Sequence, residues 1–375
     1  MPKKYELKNL NFKLILFLIG ITVFGILAIG SAKQSVQSKQ LIGFIIGVFL
    51  MLFIAFIDYS IVIKFYYPLY IINLCLLLFV QIFGETANEA QRWVSIMGIR
   101  FQPSETCKIL LILFFAQFIM KHKENLNKLS TLLKAIGFLA PPLFLVYKQP
   151  DLSTSIIILA VFCLILFMGG LSFKIIGGIL AVIVPLVVVF LFIVLQPDQD
   201  IIEDYQQNRI LAWLQPEKYA LTTAYQQQNS ITAIGSGQLW GKGLNNDDVN
   251  SVKNGNYISE PQTDFIFAII GEETGFFGSS IIIILETLIS LECFLVAGKA
   301  KDLAGTIIAS SVGAVVCLQT FINISVATGI MPNTGIPLPF VSYGLTSLVS
   351  LYIGMGFVLN VSLQRKSKRA INQEQ

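Results

Sequence analysis

Glu260-Pro261-Gln262-Thr263-Asp264-Phe265-Ile266-Phe267-Ala268-Ile269-Ile270-Gly271-Glu272-Glu273-Thr274-Gly275 is the stretch on which the reading of the chain turns. A polar run passes directly into an apolar one, and one carboxylate, Asp264, stands at the junction. An ionisable group at the edge of hydrocarbon is costly enough to be a functional candidate. A bilayer is crossed by about 20 apolar residues. Working outward, ten such runs lie at roughly 12–32, 39–57, 65–84, 104–120, 131–147, 154–171, 174–195, 264–295, 303–328 and 343–362. The expected fold is an all-α polytopic membrane protein of about ten transmembrane helices, one integral unit over 1–375. One long extracellular loop, 196–263, joins helices 7 and 8, and a cytoplasmic tail occupies 364–375.

Composition agrees. The 375 residues are 55% hydrophobic and 13% charged, with a mean hydropathy of +0.73, whereas a soluble domain carries about 25% charged residues. The first apolar run, Leu14 to Ile29, follows Lys3, Lys4, Lys8 and Lys13 and is succeeded by further spans, so it reads as a retained helix. Ten spans put both termini on one side. With that side inside, the inner segments hold Lys3, Lys4, Lys8, Lys13, Lys64, Lys121, Lys123, Lys128, Lys134, Lys174, Lys299, Lys301, Arg365, Lys366, Lys368 and Arg369. The short outer connections hold only Lys33, Lys39, Arg92, Arg100 and Lys148, the asymmetry of the positive-inside rule. Cys75, Cys107, Cys163, Cys293 and Cys317 all lie in apolar runs and suggest no disulfide framework. The lone histidine, His122, sits among charges, so neither a zinc cluster nor a histidine-based triad assembles. The net charge of +4 is dispersed over loops and gives no sign of nucleic acid binding.

The polar residues gather on the outer side. The long loop far exceeds an ordinary connection of about 4–6 residues, and its Tyr205, Trp213, Tyr219, Tyr225 and Trp240 are unlike a solvated linker. Within it, Ala233 to Leu244 holds four glycines and Lys242. That is either a turn-rich loop or a set of backbone amides that, with Lys242, meets phosphate. Arg92 and Trp93 precede a helix start at Pro103-Ser104, where Glu105 and Lys108 share a face. These residues make either an interfacial belt with a structural ion pair or a cleft for an anionic head group. Asp151 precedes hydroxyl residues at another helix start and reads first as an N-cap. Prolines and glycines from Thr328 to Gly344, including the run up to Ser342, break the apolar pattern. Irregular backbone at that depth marks a cavity wall. Gln319 and Asn323, four apart, suit an interhelical hydrogen bond as well as a substrate contact.

Together, Arg92-Trp93, Gln102-Pro103-Ser104-Glu105 with Lys108, Gln149-Pro150-Asp151-Leu152, Tyr225-Gln226, Gly235-Ser236-Gly237 with Gly241-Lys242-Gly243, Thr263 to Ala268 with Glu272, Glu273 and Gly275, and Gly335 to Gly344 resemble the RodA/FtsW/SpoVE family of shape, elongation, division and sporulation proteins. The motifs follow the family's order over nearly the whole chain. Phe101 before Gln102 and the Gln149 to Leu152 run lean toward its elongation branch. The resemblance implies a peptidoglycan glycosyltransferase of the bacterial cytoplasmic membrane, active on its external face, that polymerises lipid II beside a class B penicillin-binding protein. It places the family's essential acidic residue on Asp264 and its functionally sensitive tryptophan on Trp93. The sequence departs from the family pattern at Gln262, Ser153 and Leu345.

Under that reading Asp264 is the base for an acceptor hydroxyl. Arg92, Lys108 and Lys242 contact the diphosphate or head group, and a divalent cation such as Mg²⁺ or Mn²⁺ is compatible. Trp93, Glu105, Asp151, Gln319, Asn323 and Ser342 complete the expected substrate site. One competing role stands: Ser259 and Gln262 fit a capping box, which would make Asp264 a dipole-stabilised anion and a weaker base. Rival classes are a lipid-linked precursor flippase, since broken helices also suit transporters, and a non-catalytic scaffold.

Overall fold

The structure, a computed structural model, describes residues 7–87, 90–96, 99–194, 196, 204–246, 251, 254–255 and 257–365. Lys3, Lys4, Lys366, Lys368, Arg369 and the tail beyond Arg365 lie outside the described residues. In chain order the helices are α1 Phe12–Ala32, α2 Gln34–Ala55, α3 Tyr59–Phe83, α4 Pro103–Lys121, α5 Leu129–Tyr147, α6 Leu152–Met168, α7 Phe173–Val194, α8 Asp204–Leu214, α9 Tyr225–Ser236, α10 Ile266–Gly298, α11 Leu303–Ala327 and α12 Leu345–Leu363. Among the described residues, eight of these, α1 to α5 and α10 to α12, are long and apolar enough to cross a membrane. The shorter apolar α6 and the 22-residue α7 occupy the remaining two expected positions.

Local chemistry sets several helix starts. Asn11 caps α1 by accepting from the Leu14 amide at 3.2 Å, and Asp302 caps α11 by accepting from the Gly305 amide at 2.8 Å. The inner layer is α4, α11 and α12, whose apolar windows are 83%, 78% and 83% buried, against 28% for α2, α3 and α5. Close packing explains the tight α2–α12 pair: a Cβ on Gly47 would stand 2.6 Å from the Tyr352 ring. Small residues let membrane helices approach in this way. Asn360 fastens the same pair at its far end, donating to the Ala55 carbonyl at 2.7 Å and accepting from the Tyr59 amide at 2.9 Å.

One element adds to the helical class. Three short strands, β1 Glu85–Ala87, β2 Ala90–Ile96 and β3 Ile99–Phe101, form an antiparallel sheet, with Glu85 opposite Trp93 and Val94 opposite Phe101. The sheet links α3 to α4 and carries Arg92 and Trp93 across the end of the helices.

The described part of the loop between α7 and α10 docks on the end of α11. Helix α11 ends at Ala327 with carbonyls that have no partner inside the helix. The loop supplies donors: Gln227 Nε2 to the Val326 and Met331 carbonyls at 2.8 and 2.7 Å, Ser230 Oγ to Ala327 at 2.7 Å, and Trp213 Nε1 to Gly329 at 2.9 Å.

Candidate active site

The Asp264 segment is pinned through its backbone. Three successive carbonyls each accept a hydrogen bond: Gln262 from the Tyr343 amide at 2.8 Å, Thr263 from Ser342 Oγ at 2.6 Å, and Asp264 from Asn323 Nδ2 at 2.8 Å. Asn323 Nδ2 also donates to Ile336 at 2.7 Å, and Ser342 Oγ accepts from the Leu338 amide at 2.8 Å. Asn323 and Ser342, expected at the substrate, therefore hold backbone and do not line the cleft. The broken stretch 328–344 is the wall against which Asp264 is set.

The side chain of Asp264 is left open. Among the described residues its carboxylate accepts no hydrogen bond. The capping box does not form: α10 starts after Phe265, which makes no side-chain cap, and Gln262 points to Glu260. Burial pushes the Asp264 carboxyl above its ordinary value, Arg209 and then Arg92 draw it down, and Glu260 pushes it up, with a net rise. Gly335, at φ +71°, turns beneath it, and a Cβ there would stand 3.4 Å from Asp264 Oδ2.

A cleft of about 490 Å³ opens over this carboxylate. Its wall includes Arg92, Trp93, Glu105, Asp151 and Gln319 from the expected site. It also includes Arg100, Arg209, Gln226, Asn333 and Glu260. Gln319 Oε1 and Asn333 Oδ1 are buried acceptors without a partner. Such groups are costly unless a ligand or water meets them.

Several expected contacts have other employment. Asp151 caps α6 through the Thr154 amide at 3.2 Å and lies 3.9 Å from Arg92 Nη1. Arg92 Nε donates to Gln149 at 2.9 Å, and its Nη2 donates to the Pro150 carbonyl. Glu105 bridges Lys108 at 2.8 Å and accepts from Ser347 Oγ at 2.7 Å. Lys108 is thereby drawn away from the cleft, among Leu111, Phe115 and Phe162. Lys242 is also elsewhere, paired with buried Glu272 at 2.7 Å.

The glycine-rich motif packs against α10. Lys242 and Gly243 amides bond the Glu272 and Glu273 carbonyls at 3.0 and 2.9 Å, and the Phe276 amide bonds Gln238 at 2.8 Å. A side chain at Gly237 or Gly241 would collide with α10 carbonyls. The helix yields in turn at Gly275, whose φ of 64° and ψ of −158° form a conformation open essentially to glycine alone. Ser153, one of the departures, bonds the Thr334 carbonyl at 2.9 Å and ties α6 to the cleft wall.

Arg209 is a site residue that no motif marks in the sequence. The only signal was its place in the aromatic loop, four residues before Trp213, which docks α8 on the broken end of α11.

The fold and cleft define a multi-pass membrane protein with a polar site, lined by arginines, around the half-buried carboxylate of Asp264 at one end of its helices. The chain belongs to the FtsW/RodA/SpoVE family, whose model, described as "Cell cycle protein", matches residues 9–367. It is 32% identical over 361 residues to the peptidoglycan glycosyltransferase MrdB of Escherichia coli (strain K12), covering 96% of this chain and 95% of that protein. It is also 32% identical over 388 residues to the probable peptidoglycan glycosyltransferase FtsW of Bacillus subtilis (strain 168), covering 96% and 92%. A solved peptidoglycan synthase complex, described as coordinating polymerization and crosslinking, contains a chain of TM-score 0.76 and 26% identity, covering 94% of this chain and 97% of that one. RodA of Thermus thermophilus shares the fold, with TM-score 0.70 and 24% identity over 96% of this chain and 98% of that one.

Proposed function

We propose that this protein polymerises lipid II into glycan strands during wall elongation, with Asp264 as the base. The observation that carries the reading is the Asp264 carboxylate, open to the cleft, unbonded, raised in proton affinity by burial, and under the influence of Arg209 and Arg92. In the reaction, an acceptor sugar hydroxyl gives its proton to Asp264 while its oxygen attacks the anomeric carbon of the donor. The bond from that carbon to the diphosphate breaks, and the lipid diphosphate leaves with the electron pair. A diphosphate needs no proton to depart, so one carboxylate suffices. Arg209 and Arg100, with the part of Arg92 facing the cleft, offset the charge that develops on it.

A divalent cation fits modestly. Asp264, with the unpartnered Asn333 Oδ1 and Gln319 Oε1 of the same wall, would hold it, in keeping with Mg²⁺ sites that use one or two carboxylates plus substrate phosphates. When bound, such an ion would neutralise charge on the diphosphate. Trp93, partly exposed at the rim, offers a face to the sugar or the interface.

The distribution of lysines supports an orientation with both termini in the cytoplasm and the cleft outside. The solved complex suggests a partner that crosslinks, and a class B penicillin-binding protein has that chemistry. The test is polymerisation of lipid II by the purified chain with its partner synthase in detergent. Glycan strands from the wild type and none from Asp264→Asn are expected. Precursor crossing sealed vesicles without polymer would instead establish a flippase.

A further inference from the structure

The end of the helices remote from the cleft holds a second cavity, of about 350 Å³, between the start of α1 and the ends of α10 and α12. Among the described residues Lys8, Lys13, Lys299 and Arg365 line it, together with one carboxylate, Glu292. That carboxylate is already engaged: Asn11, itself 8% exposed, donates to Glu292 Oε2 at 2.8 Å while capping α1. Among the described residues Lys13, Lys299 and Arg365 have no carboxylate partner, and Arg365 Nε is a buried donor without an acceptor. An antiparallel bridge between Ala300 and Arg365 holds the Arg365 backbone beside the end of α10.

The surroundings are apolar. Phe12 and Leu295, both on the cavity wall, are 67% and 54% exposed, and Leu16, one turn into α1, is 68% exposed. Cations at a helix end, above exposed apolar side chains, match an anionic head group whose acyl chains run down the helices. We propose that this cavity binds the phosphate of an anionic phospholipid in the leaflet at that end, using Lys13, Lys299 and Arg365. The phosphate satisfies Arg365 Nε and offsets a surplus of positive charge that Glu292 alone does not. The lipid thereby ties α1 to the ends of α10 and α12, far from the Asp264 cleft and independent of its chemistry.

The experiment is native mass spectrometry of the delipidated full chain titrated with phosphatidylglycerol or phosphatidylcholine, with inorganic phosphate as a competitor. One phosphatidylglycerol per chain should be retained at voltages that strip phosphatidylcholine, and retention should weaken about fivefold for each charge removed in Lys299→Gln and Arg365→Gln. Lys299→Arg should bind as the wild type does, and Lys128→Gln with Lys134→Gln, at the same end, should change nothing. Equal retention of the two lipids by the wild type, a measurement that needs no variant, overturns the proposal. So does an equal loss in the Lys128/Lys134 control, and displacement of the lipid by equimolar inorganic phosphate would identify a free-anion site instead.

Discussion

Asn323 Nδ2 stands 2.8 Å from the Asp264 carbonyl and 2.7 Å from that of Ile336, so one amide fixes both the proposed base and the wall facing it. Asn323→Leu removes the donor and leaves two carbonyls unpaired. Each orphaned buried acceptor costs about 1–3 kcal/mol. A lowered Tm is expected together with a fall in polymerisation by the protein that remains folded. Full turnover with a lowered Tm would limit Asn323 to a structural part.

Asp264→Asn separates chemistry from stability. Because burial raises the folded carboxyl above its unfolded value of about 3.9, the native state binds more protons above that pH. Stability is then present at low pH and declines as pH rises toward the folded value. Asparagine carries no such penalty. The variant should lose polymerisation and, at neutral pH, melt no lower than the wild type. The acidic limb of wild-type turnover should lie above the ordinary aspartate value, and a limb below it would mean that the arginines outweigh burial.

Much of this was legible in the residues. Apolar runs gave the ten helices because lipid leaves a backbone little choice but to bond within its own segment. Asp264 stood out because a charge at that boundary is expensive. The partners of the other polar residues were not legible, because they are set by contacts distant in sequence. Ser342 meets Thr263 across 79 positions, and Arg92 meets Gln149 across 57. The strands of residues 85–101 lie in a short link between spans, where hydropathy is silent. Lys242 looked like a phosphate ligand because glycines that admit a ligand also admit a helix.

The two arginines acting on Asp264 should each shift the pH dependence of turnover on mutation. Arg209→Ala and Arg92→Ala each remove a charge that lowers the Asp264 carboxyl, so each should move the acidic limb of turnover to higher pH. Arg92 additionally donates to the Gln149 and Pro150 carbonyls, and Arg209 Nη1 donates to the Asn333 carbonyl at 3.5 Å, so the loss of either should also lower Tm. Limb position and melting temperature, measured together, check both halves.

The pair Lys242–Glu272 decides whether the glycine-rich motif is structure or substrate contact. Glu272 is 2% exposed in its side chain and Lys242 is 24% exposed, at 2.7 Å. Lys242→Met takes one partner from a buried carboxylate, and breaking a buried pair is destabilising. The cost falls on the carboxylate rather than on the lysine. Lys242→Met combined with Glu272→Gln should therefore recover most of the lost Tm. If the motif only seats the loop on α10, the double variant should also polymerise lipid II at close to the wild-type rate per folded molecule. A double variant that is stable yet inactive would return Lys242 to the diphosphate.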